Sequence, residues 1–223
     1  MLGGFDFDIY RIVCVLPGLI LGLSMHEYFH ALVAYKCGDD NQLSLGRLTL
    51  NPLKHIDPLG FIFLILLGFG WAKPVQFNAR KLKKPKRDMF LISIAGPLAN
   101  ISLGFVFSMI TAILAVISNL SIELYENALL SATYDIMGYA AIMNILLFVF
   151  NMLPIPGFDG YHAITTFLPA RIKEKLFAIE HLGFVFLIAL FIWDAPFNLI
   201  SKLIDIIFNG FFDLFFNIIE FVL

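Results

Sequence analysis

The run from Met89 to Ser118 is 30 residues long and contains no Asp, Glu, Lys or Arg. About 20 apolar residues suffice for a helix that crosses a bilayer, so this run predicts a membrane-spanning helix. The composition agrees, because 60% of the residues are apolar and 14% are charged, against about 45–50% and about 25% in soluble domains. The 15 basic and 17 acidic residues provide no cationic excess for binding nucleic acid. These features argue against a soluble enzyme, a disordered chain or a nucleic-acid-binding protein, and they predict an integral membrane protein.

Four further apolar segments accompany this run. Three are long enough to span a bilayer and one is short: Ile9 to about Lys36, Ile136–Phe158, about Leu176–Trp193, and the short Leu59–Trp71. We therefore expect an all-α polytopic membrane protein built as a helical bundle. We expect residues 1–223 to form a single integral membrane domain, with a core at residues 9–160 and C-terminal helices at residues 176–223.

Two parts of the chain follow other patterns. Gly38–Asn78 combines Gly and Pro with short alternating runs, which is typical of strands and turns. We expect a short membrane-associated strand region there, in which Leu59–Trp71 is re-entrant and does not cross the bilayer. Phe197–Leu223 carries one polar stripe at helical spacing, formed by Asn198, Lys202, Asp205, Asn209, Asp213, Asn217 and Glu220. Such a helix lies in the membrane interface or turns its polar stripe toward the bundle.

The first apolar segment contains His26-Glu27-Tyr28-Phe29-His30, a His-Glu-x-x-His motif. Histidines at positions i and i+4 lie on one helix face and can bind one Zn²⁺, and the adjacent Glu27 can take a proton from water. The flanking residues are apolar, and an unpaired ionisable group in a membrane helix costs about 2.5 kcal/mol or more. Three such groups so close together need a compensating partner, so the motif predicts a metal site.

A catalytic zinc ion takes three protein ligands and leaves one position open. The other three histidines and several carboxylates could supply the third ligand, and Asp159 is the best candidate. It follows an apolar segment in Asn151-Met-Leu-Pro-Ile-Pro-Gly-Phe-Asp159-Gly160, where the prolines stop the helix and the glycines permit tight turns. An Asp at a helix end is otherwise most often a solvated cap.

Three motifs together resemble the site-2 protease family of intramembrane zinc metalloproteases, over roughly residues 20–160. They are His-Glu-x-x-His on a membrane helix, Ala95-Gly96-Pro97-Leu98-Ala99-Asn100, and Asn151-x-x-Pro154 leading to Asp159-Gly160. The stretch from Gly46 to Pro58 resembles the small bacterial branch of the family, and no inserted PDZ domain is expected. This chain has Gly157 and Phe158 where the family often has Pro and Leu, a difference that affects loop rigidity.

The resemblance implies roles for particular residues. His26, His30 and Asp159 would bind one Zn²⁺ per chain, and Glu27 would activate water. Asn151 would help to hold the substrate or the oxyanion of the reaction.

Several other polar residues are open to two interpretations. Asn100 and His55 are further candidates for contact with substrate or oxyanion. Asn100 and Asn144 could equally form interhelical hydrogen bonds, and His55 could belong to a loop turn. We expect His162 and His181 at the surface or in an interface.

These interpretations lead to a zinc metalloprotease that hydrolyses peptide bonds of membrane-spanning protein substrates, as a multi-pass protein of the cell membrane. The alternatives are a membrane metal-ion transporter and a non-catalytic membrane scaffold. A single three-ligand site with an adjacent base argues against a transporter, and the intact Glu27 argues against a scaffold.

Basic residues predict the orientation of the chain in the bilayer. The clusters at Arg80–Arg87 and Arg171–Lys175 should be cytoplasmic, and the acidic connection Ser121–Glu126 should lie outside. His30 and Asp159 must reach the same ion, so the first helix should run from outside to inside.

Overall fold

The computed structural model describes residues 8–60, 72–73, 75, 77–120, 127–183, 185 and 194–222. Within these ranges the chain is mainly helical. The α-helices are α1 (Ile9–Cys37), α2 (Asn41–Ser44), α3 (Pro85–Leu120), α4 (Ala128–Asn151), α5 (Asp159–Thr165), α6 (Ala170–Ala178) and α7 (Asp194–Val222). Short 3₁₀ helices form at Pro52–Lys54, Ala79–Lys81 and Glu180–Leu182. The predicted helical architecture is therefore confirmed for this part of the chain.

Three helices are long and apolar enough to cross a membrane: α1, residues Pro85–Ile117 of α3, and α4. The chain sets the ends of α1 with local signals. Asp8 caps its start by accepting the backbone N–H groups of Tyr10 and Arg11. Gly38 ends it with a φ of 115°, a left-handed conformation that side chains disfavour.

The three long helices pack side by side, with α1 antiparallel to α3 and parallel to α4. His30 of α1 contacts Ile92 of α3, whereas Gly22, two turns earlier, contacts Asn100 further along α3. Gly18 faces Ala140 of α4 so closely that an added Cβ would lie 2.4 Å from the Ala140 Cα. Glycine at this position therefore permits the close approach of α1 and α4.

The end of α1 and the start of α3 meet at the same end of the bundle. The N–H of Lys83 donates to the Cys37 carbonyl at 3.1 Å, and the N–H of Asn78 donates to Asp39 at 2.6 Å. The connection between α1 and α3 thus returns to the side from which it departs. The predicted re-entrant segment at Leu59–Trp71 lies, apart from residues 59 and 60, outside the described residues.

The predicted strands between Gly38 and Asn78 are wrong for the described residues, which form no strand and only one isolated antiparallel bridge, between Ile56 and Ala72. Local hydrogen bonds to side chains explain the difference. Asn51 and Asn78 each accept a backbone N–H two residues ahead and thereby start a 3₁₀ turn. Such turns consume the backbone groups that a sheet ladder would need.

Two of the apolar segments are helical only in part. The fourth, Ile136–Phe158, is helical as far as Asn151, just before the prolines that were expected to stop the helix, and Asp159 begins the separate helix α5. The fifth predicted segment falls partly outside the described residues; its described start belongs to α6 and to the 3₁₀ helix Glu180–Leu182.

The last helix, α7, packs along α3 and α4 through one apolar face. Ile200 and Ile204 are buried against Ile145 and Val149, and Phe105 of α3 contacts Phe211. All seven residues of the polar stripe are exposed on the other side of the helix. One of the two expected arrangements, in which the polar stripe turns toward the bundle, is therefore wrong.

Candidate metal centre

Three side chains from two distant parts of the chain converge on one point. The distance between His26 Nε2 and His30 Nε2 is 3.0 Å. Asp159 Oδ2 lies 3.0 Å from His26 Nε2 and 3.1 Å from His30 Nε2. Both histidines are buried, and the Asp159 side chain is 18% exposed. Among the described residues, this is the one group of three His, Cys, Asp or Glu side chains that could hold a metal ion.

This triangle of ligand atoms fits a zinc ion. Zinc at about 2.0–2.1 Å from each ligand of a tetrahedron places the ligand atoms about 3.3 Å apart, close to the measured edges. Three protein ligands leave the fourth tetrahedral position for water or substrate, as in catalytic zinc sites. The donor set of two imidazoles and one carboxylate is also one that zinc enzymes use.

The helix α1 presents both histidines on one face, and α3 packs tightly against them. An added Cβ at Gly96 would lie 2.4 Å from His30 Nε2 and 2.7 Å from His26 Nε2. The glycine of the Ala-Gly-Pro-Leu-Ala-Asn segment therefore provides the space in which the imidazole nitrogens meet. Any side chain at this position would occupy the volume next to these two nitrogens.

Hydrogen bonds at the far ring nitrogens set the histidine tautomers. His26 Nδ1 lies 2.6 Å from Asn100 Oδ1, and His30 Nδ1 lies 2.6 Å from the Ile92 carbonyl oxygen. Both oxygens can only accept, so each Nδ1 carries the proton and donates it. Each Nε2 then has a free lone pair directed into the triangle, which is the form that binds a metal.

A tight turn carries Asp159 to the histidines. The helix α4 ends at Asn151, Gly157 takes a φ of 90°, and Asp159 opens α5. An added Cβ at Gly160 would lie 2.4 Å from the Met152 carbonyl oxygen, so the turn closes on itself only with glycine there.

Glu27 is buried beside the triangle and receives a hydrogen bond from another part of the chain. The backbone N–H of Val75 donates to Glu27 Oε2 at 3.0 Å. The carboxylate is thereby fixed through one oxygen, which leaves the other available to act as a base. The segment around Val75 is held near by two further bonds, from Lys73 N–H to the His55 carbonyl and from Asn78 N–H to Asp39.

The remaining candidates lie in different environments. Asn100 is fully buried, and its amide bonds to His26, Gly22 and Asn144, a placement that favours a positioning role over substrate contact. Asn151 is the last residue of α4 and donates to the Leu147 carbonyl of its own helix. The structure describes no hydrogen bond between Asn151 and the three predicted zinc ligands.

Two histidines lie away from the triangle. His55 is 1% exposed, and its Nε2 lies 2.7 Å from the Thr49 carbonyl oxygen, as expected of a residue in a loop turn. His162 is partly exposed and pairs with Glu180 at 3.2 Å.

Sequence reasoning missed the groups that support the ligands. The Ile92 carbonyl and the Val75 N–H are backbone groups, so no pattern of side chains in the sequence predicts their roles. Asn144 was not missed: it forms the interhelical hydrogen bonds that the sequence analysis offered for it, because an amide in an apolar helix needs a partner in the same bundle.

The fold and the site define a class of protein: one with three helices long and apolar enough to cross a membrane and, beside them, two histidines and one aspartate that could hold a metal ion. Comparison with known proteins is more specific, since the model of peptidase family M50 matches residues 15–192. The chain belongs to this family, which comprises the site-2 proteases. It is thus a zinc metalloprotease of the membrane, with Zn²⁺ as its cofactor.

Three relatives illustrate the match. A Bacillus subtilis protein named "Putative zinc metalloprotease YwhC" is 38% identical over 174 residues, which cover 78% of each chain. Proteins with the same description named Rip2 are 29% identical in Mycolicibacterium smegmatis and 28% identical in Mycobacterium tuberculosis. These matches cover 82% and 81% of this chain, and 68% and 67% of the relatives. No solved structure gives a significant match.

Proposed function

We propose that this protein hydrolyses peptide bonds in membrane-spanning protein substrates, as a single multi-pass metalloprotease domain of the cell membrane. The observation that carries the proposal is the position of the ligand triangle within the apolar helices. His26 lies eleven residues before the end of α1, or about 16 Å along the helix, so the site sits well below the helix end. A substrate must therefore present its scissile bond within the bilayer or at its edge.

In this proposal His26, His30 and Asp159 hold one Zn²⁺ per chain. Bound zinc supplies Lewis acidity, which lowers the pKa of water and polarises a peptide carbonyl. Glu27 takes the proton of the attacking water and delivers it to the leaving amine nitrogen. The hydrogen bond from Val75 keeps the Glu27 carboxylate in one orientation throughout this transfer.

Asn151 is proposed to hold the substrate or the oxyanion, although its side chain forms a hydrogen bond within its own helix in this structure. Its amide donates to the Leu147 carbonyl at 2.9 Å, a bond that a substrate carbonyl could replace after a small rotation of the side chain. Asn151 stands at the end of α4, eight residues before Asp159, and so lies at the start of the turn that brings Asp159 to the metal.

The helix directions support the proposed orientation in the membrane. Because α1 is parallel to α4, a cytoplasmic end of α4, from which the chain continues to Arg171, requires a cytoplasmic end of α1 at Lys36. The basic residues at the start of α3 then also lie in the cytoplasm, as the positive-inside rule requires. Lys81 pairs there with Asp40 and lowers the pKa of that exposed carboxyl.

The alternatives gain no support from the site. A metal transporter would need successive sites across the bilayer, and the described residues contain one cluster. A non-catalytic scaffold would not need a buried Glu27 that receives a directed hydrogen bond at the edge of the metal site.

The experiment that tests the substrate class is proteolysis in reconstituted vesicles. Single-span membrane proteins with helix-destabilising residues in their spans are incubated with the purified protease, and product termini are mapped by mass spectrometry. We expect cleavage within or at the edge of the span, and no cleavage of the same sequence placed in a soluble loop. Equal cleavage of both forms would contradict the proposed substrate class.

A further inference from the structure

We propose that Asn144, which is two hydrogen bonds away from the predicted zinc ligand His26, fixes the tautomer of His26 by orienting the side chain of Asn100 between them. The three side chains form a continuous buried chain across α4, α3 and α1, with 0% exposure for both asparagines. This inference rests on the zinc site of the proposed function, but it concerns metal binding and not the choice of substrate.

The orientation of Asn144 follows from its two backbone partners. Its Nδ2 lies 3.1 Å from the Gly18 carbonyl oxygen and 2.9 Å from the Ala140 carbonyl oxygen. Both partners only accept, so both amide protons of Asn144 are used there. Its Oδ1 must then face Asn100, whose Nδ2 lies 3.2 Å away. An added Cβ at Gly22 would lie 2.6 Å from this Oδ1, so glycine at position 22 leaves room for it.

Asn100 is oriented in turn. Its Nδ2 donates to the Gly22 carbonyl at 3.0 Å as well as to Asn144. With both amide protons committed, its Oδ1 faces His26 Nδ1 at 2.6 Å and can only accept. His26 must therefore keep its proton on Nδ1, and Nε2 must present its lone pair to the metal.

We call this chain of hydrogen bonds, from Asn144 through Asn100 to His26, the relay. It excludes the His26 tautomer that carries its proton on Nε2. A reversed Asn100 amide would aim N–H groups at His26 Nδ1, which would push the histidine proton to Nε2 and block metal binding. The same reversal would set the Asn100 oxygen against the Gly22 carbonyl and Asn144 Oδ1 and break two buried hydrogen bonds. His30 needs no relay, because a backbone carbonyl, that of Ile92, accepts its Nδ1 proton directly.

Paired substitutions at both asparagines test the relay through zinc affinity. Asn100→Leu and Asn144→Leu remove hydrogen bonding at similar volume, whereas Asn100→Asp and Asn144→Asp keep an oxygen facing the next member of the chain. Thr111→Val is the matched control, because Thr111 is buried on α3 and its hydroxyl donates to the Phe107 carbonyl of the same helix. The zinc dissociation constant is measured by chelator competition on folded, purified protein.

We expect Asn100→Leu to weaken zinc binding by about 10- to 100-fold, and Asn144→Leu by a smaller factor of about tenfold at most. Each Asp variant should bind zinc more tightly than its Leu counterpart, and Thr111→Val should match the wild type. Folded Asn144→Leu protein with the zinc affinity of Thr111→Val would overturn the proposal, as would equal losses in the Leu and Asp variants. If Asn144→Leu does not fold, Asn144→Ala is measured in its place.

This readout separates the relay from the proposed function. A protein that binds zinc as predicted in all variants, yet cleaves no membrane-spanning substrate, would refute the proposed function and keep the relay. Normal cleavage with no effect of position 144 on zinc affinity would do the reverse.

An independent observation concerns α7, which lies beyond residues 15–192 matched by the family model. We propose that α7 pairs with the same helix of a second copy of this chain through its polar stripe. Phe105, near the middle of α3, contacts both Phe211 and Phe215, so α7 runs alongside the spanning helices and does not lie across their ends. Its exposed polar stripe is then at the depth of the bilayer.

Exposure of this stripe to lipid would be costly. A charged side chain at the centre of a membrane helix costs about 2.5–3.5 kcal/mol on insertion scales. The stripe carries four charged residues and three asparagines, all exposed: Asn198, Lys202, Asp205, Asn209, Asp213, Asn217 and Glu220. Another polar surface must therefore cover it.

The stripe is self-complementary from Asn198 to Asn209. Copies inserted in the same orientation place their α7 helices in parallel, and a two-fold axis then brings each residue to its counterpart. Spacings of 4, 3 and 4 from Asn198 to Asn209 match a helix-pair seam, where asparagine amides donate and accept across the pair. Lys202 lies one turn from Asp205 and can pair with Asp205 of the other copy. Gly210 borders the stripe and faces open space, so the backbones can approach closely there.

Cysteine cross-linking in native membranes tests the pairing. In a background in which Cys14 and Cys37 are replaced by alanine, Asn209→Cys should give a disulfide-linked dimer on oxidation. Leu203→Cys, exposed on α7 but off the stripe, should not. In mild detergent, the double substitution Asn209→Leu with Asp213→Leu should lower the dimer fraction.

Three results would overturn the pairing. The first is equal cross-linking of cysteines at positions 203 and 209. The second is reaction of cysteines introduced singly along the whole stripe with an impermeant thiol reagent. The third is a cross-link from position 209 to a different protein. The second would place α7 in water at the interface, and the third would identify another membrane protein as the partner.

Discussion

Replacement of Gly96 by alanine should abolish tight zinc binding while the helical bundle still folds. The added Cβ would lie 2.4 Å from His30 Nε2 and 2.7 Å from His26 Nε2. Carbon atoms normally keep about 3.5–4.0 Å from non-bonded neighbours, so each nitrogen would have to move by about 1 Å. Metal–ligand distances tolerate deviations of only about 0.2 Å. We therefore expect Gly96→Ala to lower zinc affinity by at least about 100-fold.

Gly138→Ala is the matched control on α4. Its added Cβ would lie 3.8 Å from the Thr111 methyl group, an ordinary contact. Alanine in a helix interior is more stable than glycine by about 0.5–1 kcal/mol, so this control should be neutral or slightly stabilising.

Chelator competition and thermal unfolding with and without zinc provide the assay for both variants. Zinc at 100 times its dissociation constant should stabilise the wild type and Gly138→Ala by about 2.7 kcal/mol. Gly96→Ala should gain much less. Zinc affinity in Gly96→Ala equal to that of Gly138→Ala would refute the close packing of α3 on the ligand atoms.

Three further predictions test the site and the topology. His26→Ala, His30→Ala and Asp159→Ala should each lose bound zinc measured by metal analysis, whereas His162→Ala should keep it; retention of zinc by Asp159→Ala would remove Asp159 from the ligand set. Val75→Pro removes the N–H that donates to Glu27 and should lower kcat by about tenfold or more with zinc unchanged, whereas Val75→Ala should retain activity; equal kcat in both variants would contradict a role for this bond. Single cysteines are introduced in a cysteine-free background at Asn41, Lys84, Glu123 and Lys173. On intact cells, an impermeant thiol reagent should label only the cysteine at position 123. Labelling at position 41 with protection at position 84 would contradict the proposed orientation.

The sequence was sufficient to predict the three long apolar helices and the grouping of His26, His30 and Asp159. The uncharged run from Met89 to Ser118 lies within α3, and the i, i+4 spacing of His26 and His30 places both on one face of α1. Asp159 comes within 3.1 Å of both histidines although it lies 129 residues from His30. That convergence followed from the resemblance and from a helix-ending turn, not from periodicity.

Other features were not predictable from the sequence. Alternating apolar residues between Gly38 and Asn78 favoured strands, but side-chain caps such as Asn51 turned the chain into 3₁₀ helices. Prolines at positions 154 and 156 showed that the helix must stop, yet they did not show that α4 ends as early as Asn151. The partners of Asn100 depend on which helix faces which, and that is decided by close contacts such as the one between Gly18 and Ala140.

The central claim is that Glu27 acts as the base in a zinc centre built from His26, His30 and Asp159, and Glu27→Gln tests it most directly. The measurement combines metal analysis with cleavage of a single-span substrate by wild-type and Glu27→Gln protein, both purified and reconstituted. We predict that the variant binds as much zinc as the wild type and that its cleavage rate falls by about 100-fold or more. Cleavage by zinc-loaded Glu27→Gln protein at the wild-type rate would contradict the mechanism.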